Sequence, residues 1–140
     1  EAADTFRLAL DVNPFHAQAH NNLATLLAAQ GNLDAAASHY RQAVANDPGH
    51  RAARFNLGRT LVALGRPRDA TSHFERLLEP QNPDATRFMH ALANAWLAAG
   101  DIAKAREYAT RALRDARAFG QTTLAATLEH ELQTMVAKSK

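Results

Sequence analysis

LATLLAAQGNLDAAASHYRQAVANDP, residues 23–48, decides the fold. Leu23, Leu26, Leu27 and Gln30 stand three or four apart, and so do Ala36, Tyr40, Ala43 and Val44. That spacing puts each set on one face of a helix. Between the sets lies Gly31-Asn32, a pair that tolerates positive φ and ends the first helix. Pro48 stops the second. The stretch therefore reads as two helices joined by a tight turn. No alternating β-branched run exists in the chain, so no strand is expected.

The same stretch recurs on both sides. Ala2, Ala36 and Ala70 are spaced 34 apart, and Ala105 follows 35 later. Phe6, Tyr40 and Phe74 keep the step of 34, as do Pro14 and Pro48. Asn22 and Asn56, Leu23 and Leu57, Leu27 and Leu61, and Gly31 and Gly65 are all 34 apart. Leu92, Trp96 and Gly100 come 35 after their predecessors. One extra residue is therefore placed in the 79–84 stretch, which carries Pro80 and Pro83. Pro83 is expected to stop a second helix as Pro48 does. Gly65-Arg66-Pro67 and Gly100-Asp101 repeat the turn of Gly31-Asn32. Asp34, Asp69 and Asp101 fall near second-helix starts, where a negative charge suits the helix dipole.

These residues resemble the tetratricopeptide repeat family. Its pattern maps onto Leu23-Ala24, Leu27, Gly31, Ala36, Tyr40, Ala43 and Pro48. The next copy reads Leu57-Gly58, Leu61, Gly65, Ala70, Phe74 and Leu77. The third reads Leu92-Ala93, Trp96, Gly100, Ala105 and Ala112, with Ala109 where an aromatic is usual. The resemblance covers about residues 1–118. It implies an all-α fold, a tetratricopeptide-type α-solenoid of stacked antiparallel helical hairpins in a right-handed superhelix of seven or eight helices. One hairpin alone buries too little surface to be stable, so stacking supplies the core. Ala24, Gly58 and Ala93 allow close helix approach, and a Gly58→Leu change is expected to cost roughly 1–3 kcal/mol by overpacking.

The expected organisation is one domain over residues 1–140. It divides into a half repeat at 1–15, repeats at 16–50, 51–85 and 86–119, and a capping helix at 120–137. In the cap, Leu124, Leu128, Leu132 and Val136 stand in line. At the other end a second helix precedes any first helix, which reads as a piece of a longer array. Phe6 and Leu10 are expected to be partly uncovered there, and a second copy could meet them.

Bulk properties narrow the function. The chain has 16 basic and 14 acidic residues and a formal net charge of +2. That balance gives no ground for a nucleic-acid partner. No cysteine is present, so disulfides and thiolate chemistry are excluded. No apolar run approaches the roughly 20 residues that cross a bilayer. A soluble protein, cytoplasmic or periplasmic, is expected. Phosphate loops and the HExxH, GxSxG and kinase-type signatures are all missing. No catalytic residue and no cofactor is assigned, and the chain is read as a non-enzyme.

Seven histidines raise the question of a metal. His16 and His20 are four apart, on one helix face, but no third ligand is close. They read as a surface ring and a part-buried ring. His39 and His73 share a repeat position and read as surface residues. His130 lies on the cap. No metal site is assigned.

The resemblance implies that first helices line an inner groove. The residues it presents there include Asn21, Asn22 and Thr25, then Phe55, Asn56 and Arg59, then Arg87, His90 and Asn94. An amide carries a donor and an acceptor, so Asn22 and Asn56 could pair with a peptide backbone. Asparagine also simply tolerates an exposed, crowded surface, and the residues alone leave both readings open. Arg59 and Arg87 add charge suited to carboxylates. Family members that clamp a C-terminal carboxylate carry basic residues where Asn21 and Ala91 stand here. Only Asn56 and Arg87 match that clamp. The expected function is therefore a protein–protein interaction module that holds an extended polar or acidic peptide. A self-assembling scaffold, or a recruiting domain of a larger enzyme or complex, is the alternative.

Overall fold

The structure is a computed structural model that describes residues 2–78 and 83–138. Among them run eight helices and no strand. In chain order these are α1 (Ala2–Val12), α2 (Ala17–Ala29), α3 (Leu33–Asn46) and α4 (Arg51–Ala63). Then follow α5 (Pro67–Glu75), α6 (Pro83–Ala98), α7 (Ile102–Ala118) and α8 (Thr122–Lys138). The chain forms two compact units, Glu1–Arg66 and Pro67–Lys140.

In the first unit α1 packs on α2, α2 on α3 and α3 on α4, and the first helices α2 and α4 also touch. Small residues make these approaches close. Ala24, Ala36, Ala43 and Ala53 are all 0% exposed. Alanine also loses least on entering a helix, so local propensity and packing agree. Leu23, Tyr40, Leu57 and Leu61 fill the remaining space and are buried. The uncovered apolar surface of this unit falls on Leu8, Val12 and Phe15, while Phe6 and Leu10 are half-buried.

In the second unit α5 packs on α6, α6 on α7 and α7 on α8. Phe74, Leu77, Phe88, Leu92, Ala93, Ala105, Ala109 and Ala112 are buried. Ala109 therefore occupies the aromatic position of the repeat within a closed core.

The turns follow one scheme. Gly31 sits at φ 81°, and the next residue, Asn32, donates its N–H to the carbonyl of Leu27 at 2.9 Å. Gly65 and Gly100 make the same turn, with Arg66 N–H on Leu61 and Asp101 N–H on Trp96. A fourth copy was not expected. Gly120 has φ 70°, and Gln121 donates to Ala116 at 2.8 Å. At Gly31 and Gly120 an added Cβ would meet nothing within 4 Å. It is the left-handed backbone, not space, that requires glycine there.

Three expectations need correction. Pro83 does not stop a second helix. α5 ends at Glu75, and Pro83 opens α6. Proline suits that first position, because its missing N–H would be unpaired there anyway. The repeat limit drawn after residue 85 thus falls inside α6. The extra residue assigned to the 79–84 stretch falls mostly on 79–82, which lie outside the described residues.

The cap presents a different face. Ala125, Leu128 and Met135 are its buried residues, whereas Val136 is 39% exposed. A buried stripe follows three- and four-residue steps in alternation, and a strict step of four drifts off it. The third correction concerns His39, which is half-buried and bonded rather than a surface residue.

Candidate functional site

Two first helices of the first unit, α2 and α4, start on histidine. The Nδ1 of His16 accepts the N–H of Ala19 at 3.1 Å, and the Nδ1 of His50 accepts that of Ala53 at 3.1 Å. Each ring thus takes the capping role usual for Ser, Asp or Asn. The two caps are 34 residues apart. His16 is therefore engaged at a helix start, and His20 faces elsewhere.

His20 is 8% exposed. Its Nε2 donates to the carbonyl of Pro14 at 2.7 Å, since a carbonyl can only accept. In the neutral ring Nδ1 is then an acceptor, and the Nδ1–H of His39 donates to it at 3.0 Å. Burial holds His39 below the ordinary histidine range, helped by His20 and Arg7. The in-phase residue of α4 is Arg54, whose Nη2 donates to the carbonyl of Pro48 at 3.0 Å. A side chain anchored to the preceding proline carbonyl is thus a repeated device. Among the described residues no group of three or more His, Asp or Glu could hold a metal ion.

The cap of α4 also orders the surface of α2. With its Nδ1 accepting from Ala53, a neutral His50 carries its proton on Nε2. That nitrogen donates to Gln18 Oε1 at 2.9 Å. Gln18 Nε2 then donates to Asn22 Oδ1 at 2.8 Å. Asn22 is left with its amide N–H groups to offer outward. Asn56 is oriented the other way. Its Nδ2 donates to Asn21 Oδ1 at 3.4 Å, which leaves its Oδ1 as an acceptor. Asn21 departs from the expected groove set. At 7% exposed it lies beneath the surface and supports Asn56.

An open cavity of about 270 Å³ lies on this unit, lined by Thr25, Leu33, Tyr40, Asn56, Arg59 and Thr60. It brings together three of the expected groove residues: Thr25, Asn56 and Arg59. Its hydroxyls are occupied. Tyr40 O–H donates to Thr25 Oγ1 at 3.0 Å, and Thr25 Oγ1 donates to the carbonyl of Asn21 at 2.9 Å. Thr60 Oγ1 donates to the carbonyl of Asn56 at 2.7 Å. Arg59 is exposed, with its Cζ 5.7 Å from the centre of the Phe55 ring. Phe55 thus lies under the guanidinium as a platform, one helical turn earlier.

The positions expected to face a groove are arranged differently in the second unit. His90, half-buried on α6, has its Nε2 at 2.9 and 3.1 Å from the two carboxylate oxygens of Glu131 on α8. Asn94 Nδ2 sits 3.2 Å from the same nitrogen. Arg87 is exposed, with its Cζ 5.0 Å from the Phe88 ring centre. Glu131 was not foreseen, because nothing in the repeat pattern links it to His90, 41 residues earlier. The histidine caps were not foreseen either, although the repeat step that separates His16 and His50 is a signal for them.

Comparison with known proteins follows the same repeat. One tetratricopeptide repeat model matches residues 27–81, and another matches residues 1–51 and 55–121. Among solved structures, the PilF protein of Pseudomonas aeruginosa is similar with a TM-score of 0.76 at 24% identity. That match covers 96% of this chain and 58% of PilF. The MamA protein is similar with a TM-score of 0.76 at 18% identity, covering 85% of this chain and 64% of MamA. The chain thus spans less than two thirds of either. No curated protein matches.

Proposed function

From the premise that this chain belongs to the tetratricopeptide repeat family, whose repeats serve as protein–protein interaction modules, we propose that it holds an extended peptide segment on its first-helix faces. The observation that carries the reading is the opposed setting of two amides. Asn22 offers N–H donors and Asn56 offers a carbonyl acceptor. A peptide unit needs one of each, a donor for its C=O and an acceptor for its N–H. Pairing of this kind recognises a backbone without demanding a particular side chain. Arg59 and Arg87, both exposed, add attraction for an acidic or polar segment. No described helix is long and apolar enough to cross a membrane, so an intramembrane role finds no support.

Replacing both amides tests this. The Asn22→Ala, Asn56→Ala double variant is expected to keep its helical circular dichroism and to lose capture of the partner that the parent chain retains. Capture of the same partner by both proteins, measured by quantitative mass spectrometry of the bound fraction, would overturn the reading.

A further inference from the structure

We infer that the α2–α4 cavity is a subsite for one acidic side chain of the partner, an aspartate or glutamate within a continuous extended segment, and that Arg59 selects it. The inference deepens the proposal above and rests on it. Three observations lead there.

The first is an unoccupied cation. Arg59 stands at the cavity, and none of the ion pairs among the described residues involves it. The Phe55 ring, with its centre 5.7 Å from the Arg59 Cζ, is a cation–π partner for the guanidinium. A contact with a ring takes up no hydrogen-bond acceptor, so the N–H groups stay available.

The second is what else the cavity has left to give. Its hydroxyls are committed to Thr25, Asn21 and Asn56. The polar groups left to give are the N–H fork of Arg59 and, on Asn56, the Oδ1 and the second amide N–H. A fork of charged donors suits a carboxylate. A lone amide oxygen suits a backbone N–H. An acidic residue within a chain brings both. A lysine or arginine would meet Arg59 with like charge. At about 270 Å³ the cavity has room for one acidic side chain.

The third is a precedent within the same chain. On α6 the groove position His90 already holds a carboxylate, and it comes from a side chain, Glu131, rather than from a chain end.

The probes are nonapeptides of Gly and Ser, acetylated and amidated, with a central Asp, Glu, Asn or Gln. A further peptide has no acidic side chain but a free C-terminal carboxylate. Each is titrated into the labelled 140-residue chain while backbone amide shifts are followed by NMR. The Asp and Glu peptides are expected to move the amides of residues 25, 56, 59 and 60, and to bind at least roughly tenfold more tightly than their Asn and Gln counterparts. Arg59→Gln, checked for an unchanged spectrum elsewhere, should remove that preference, and Arg59→Lys should restore part of it. Equal binding of Glu and Gln at those amides overturns the subsite and leaves backbone pairing standing. Binding by the free carboxylate alone assigns the cavity to a chain end and overturns it too. No shift on α2 or α4 with any peptide overturns both this inference and the reading beneath it.

Discussion

Phe55 and Arg59 on α4 stand in phase with His90 and Asn94 on α6, 35 residues later in each case. The two helices have the same place in their repeats, yet their faces differ. On α4 Arg59 makes no ion pair among the described residues, and it lines a cavity. On α6 His90 is already paired with Glu131 of α8. The repeat therefore supplies a frame, not a binding capacity. Whether a face is open depends on residues far away in sequence. Under the proposed function, a chain of this kind keeps its fold while changing which of its faces is open to a peptide.

Removing the support of α8 should break the contrast most forcefully. Leu128 is 0% exposed and anchors that helix. Leu128→Ala is expected to cost about 2–5 kcal/mol in chemical denaturation of the second unit. Hydrogen exchange should then show α8 loosened and the α6 face released. If α8 stays fully protected, its hold does not rest on that side chain.

A gentler change sharpens the comparison. Glu131→Gln removes the carboxylate from His90 and keeps the shape of the side chain. The pair is partly exposed, at 20% and 27%, so the stability loss should stay below about 1 kcal/mol. The affinity of the α6 face for acidic peptides, to which Arg87 already contributes, should rise measurably. Unchanged peptide binding would mean that Glu131 is not what closes this face.

The smallest effect concerns acid. The His20–His39 link of the first unit has Met89 and Tyr108 at the in-phase positions of the second. Burial, more than the nearby Glu75 and Glu107, holds the Tyr108 hydroxyl above the ordinary tyrosine value, so it stays neutral in acid. His39 is held below the ordinary value of about 6.5. Above that pH both folded and unfolded chains are neutral at His39, and stability does not depend on it. As pH falls below it, the unfolded chain takes up a proton that the folded chain resists. Stability is then lost until the folded value is passed. Protection factors in α2 and α3 should drop in mild acid while those in α6 and α7 hold. His39→Asn, which keeps a donor for His20, should flatten the response, and an equal drop in both units would refute the assignment.

The hairpins were legible because every level of the sequence says the same thing. Leu23, Leu57 and Leu92, the alanines facing them and the glycine turns all recur in phase. The resemblance to the tetratricopeptide repeat family held for the same reason. Pro83 misled because a proline before a helix and a proline after one look alike when the intervening spacing is irregular. Val136 misled because a step of four was followed past the point where a helix stays in register. The repeat placed Asn56 and Arg59 together, and both line one cavity, but it gave no sign of the burial of Asn21 or of the carboxylate on His90. Burial and pairing of that kind are decided by contacts between helices, which no local period encodes.

The histidine that starts α4 has a reach beyond its own helix. Because its ring must receive Ala53 on one nitrogen, its other nitrogen can only give, and that sense passes through Gln18 to Asn22. Aspartate at position 50 would cap the helix equally well but could give nothing to Gln18. The glutamine amide would be free to turn over, and Asn22 with it, so that the outer surface would show oxygen where it now shows hydrogen. In the proposed mode of binding, the groups that Asn22 offers a peptide are thus set from residue 50, at the start of the next first helix.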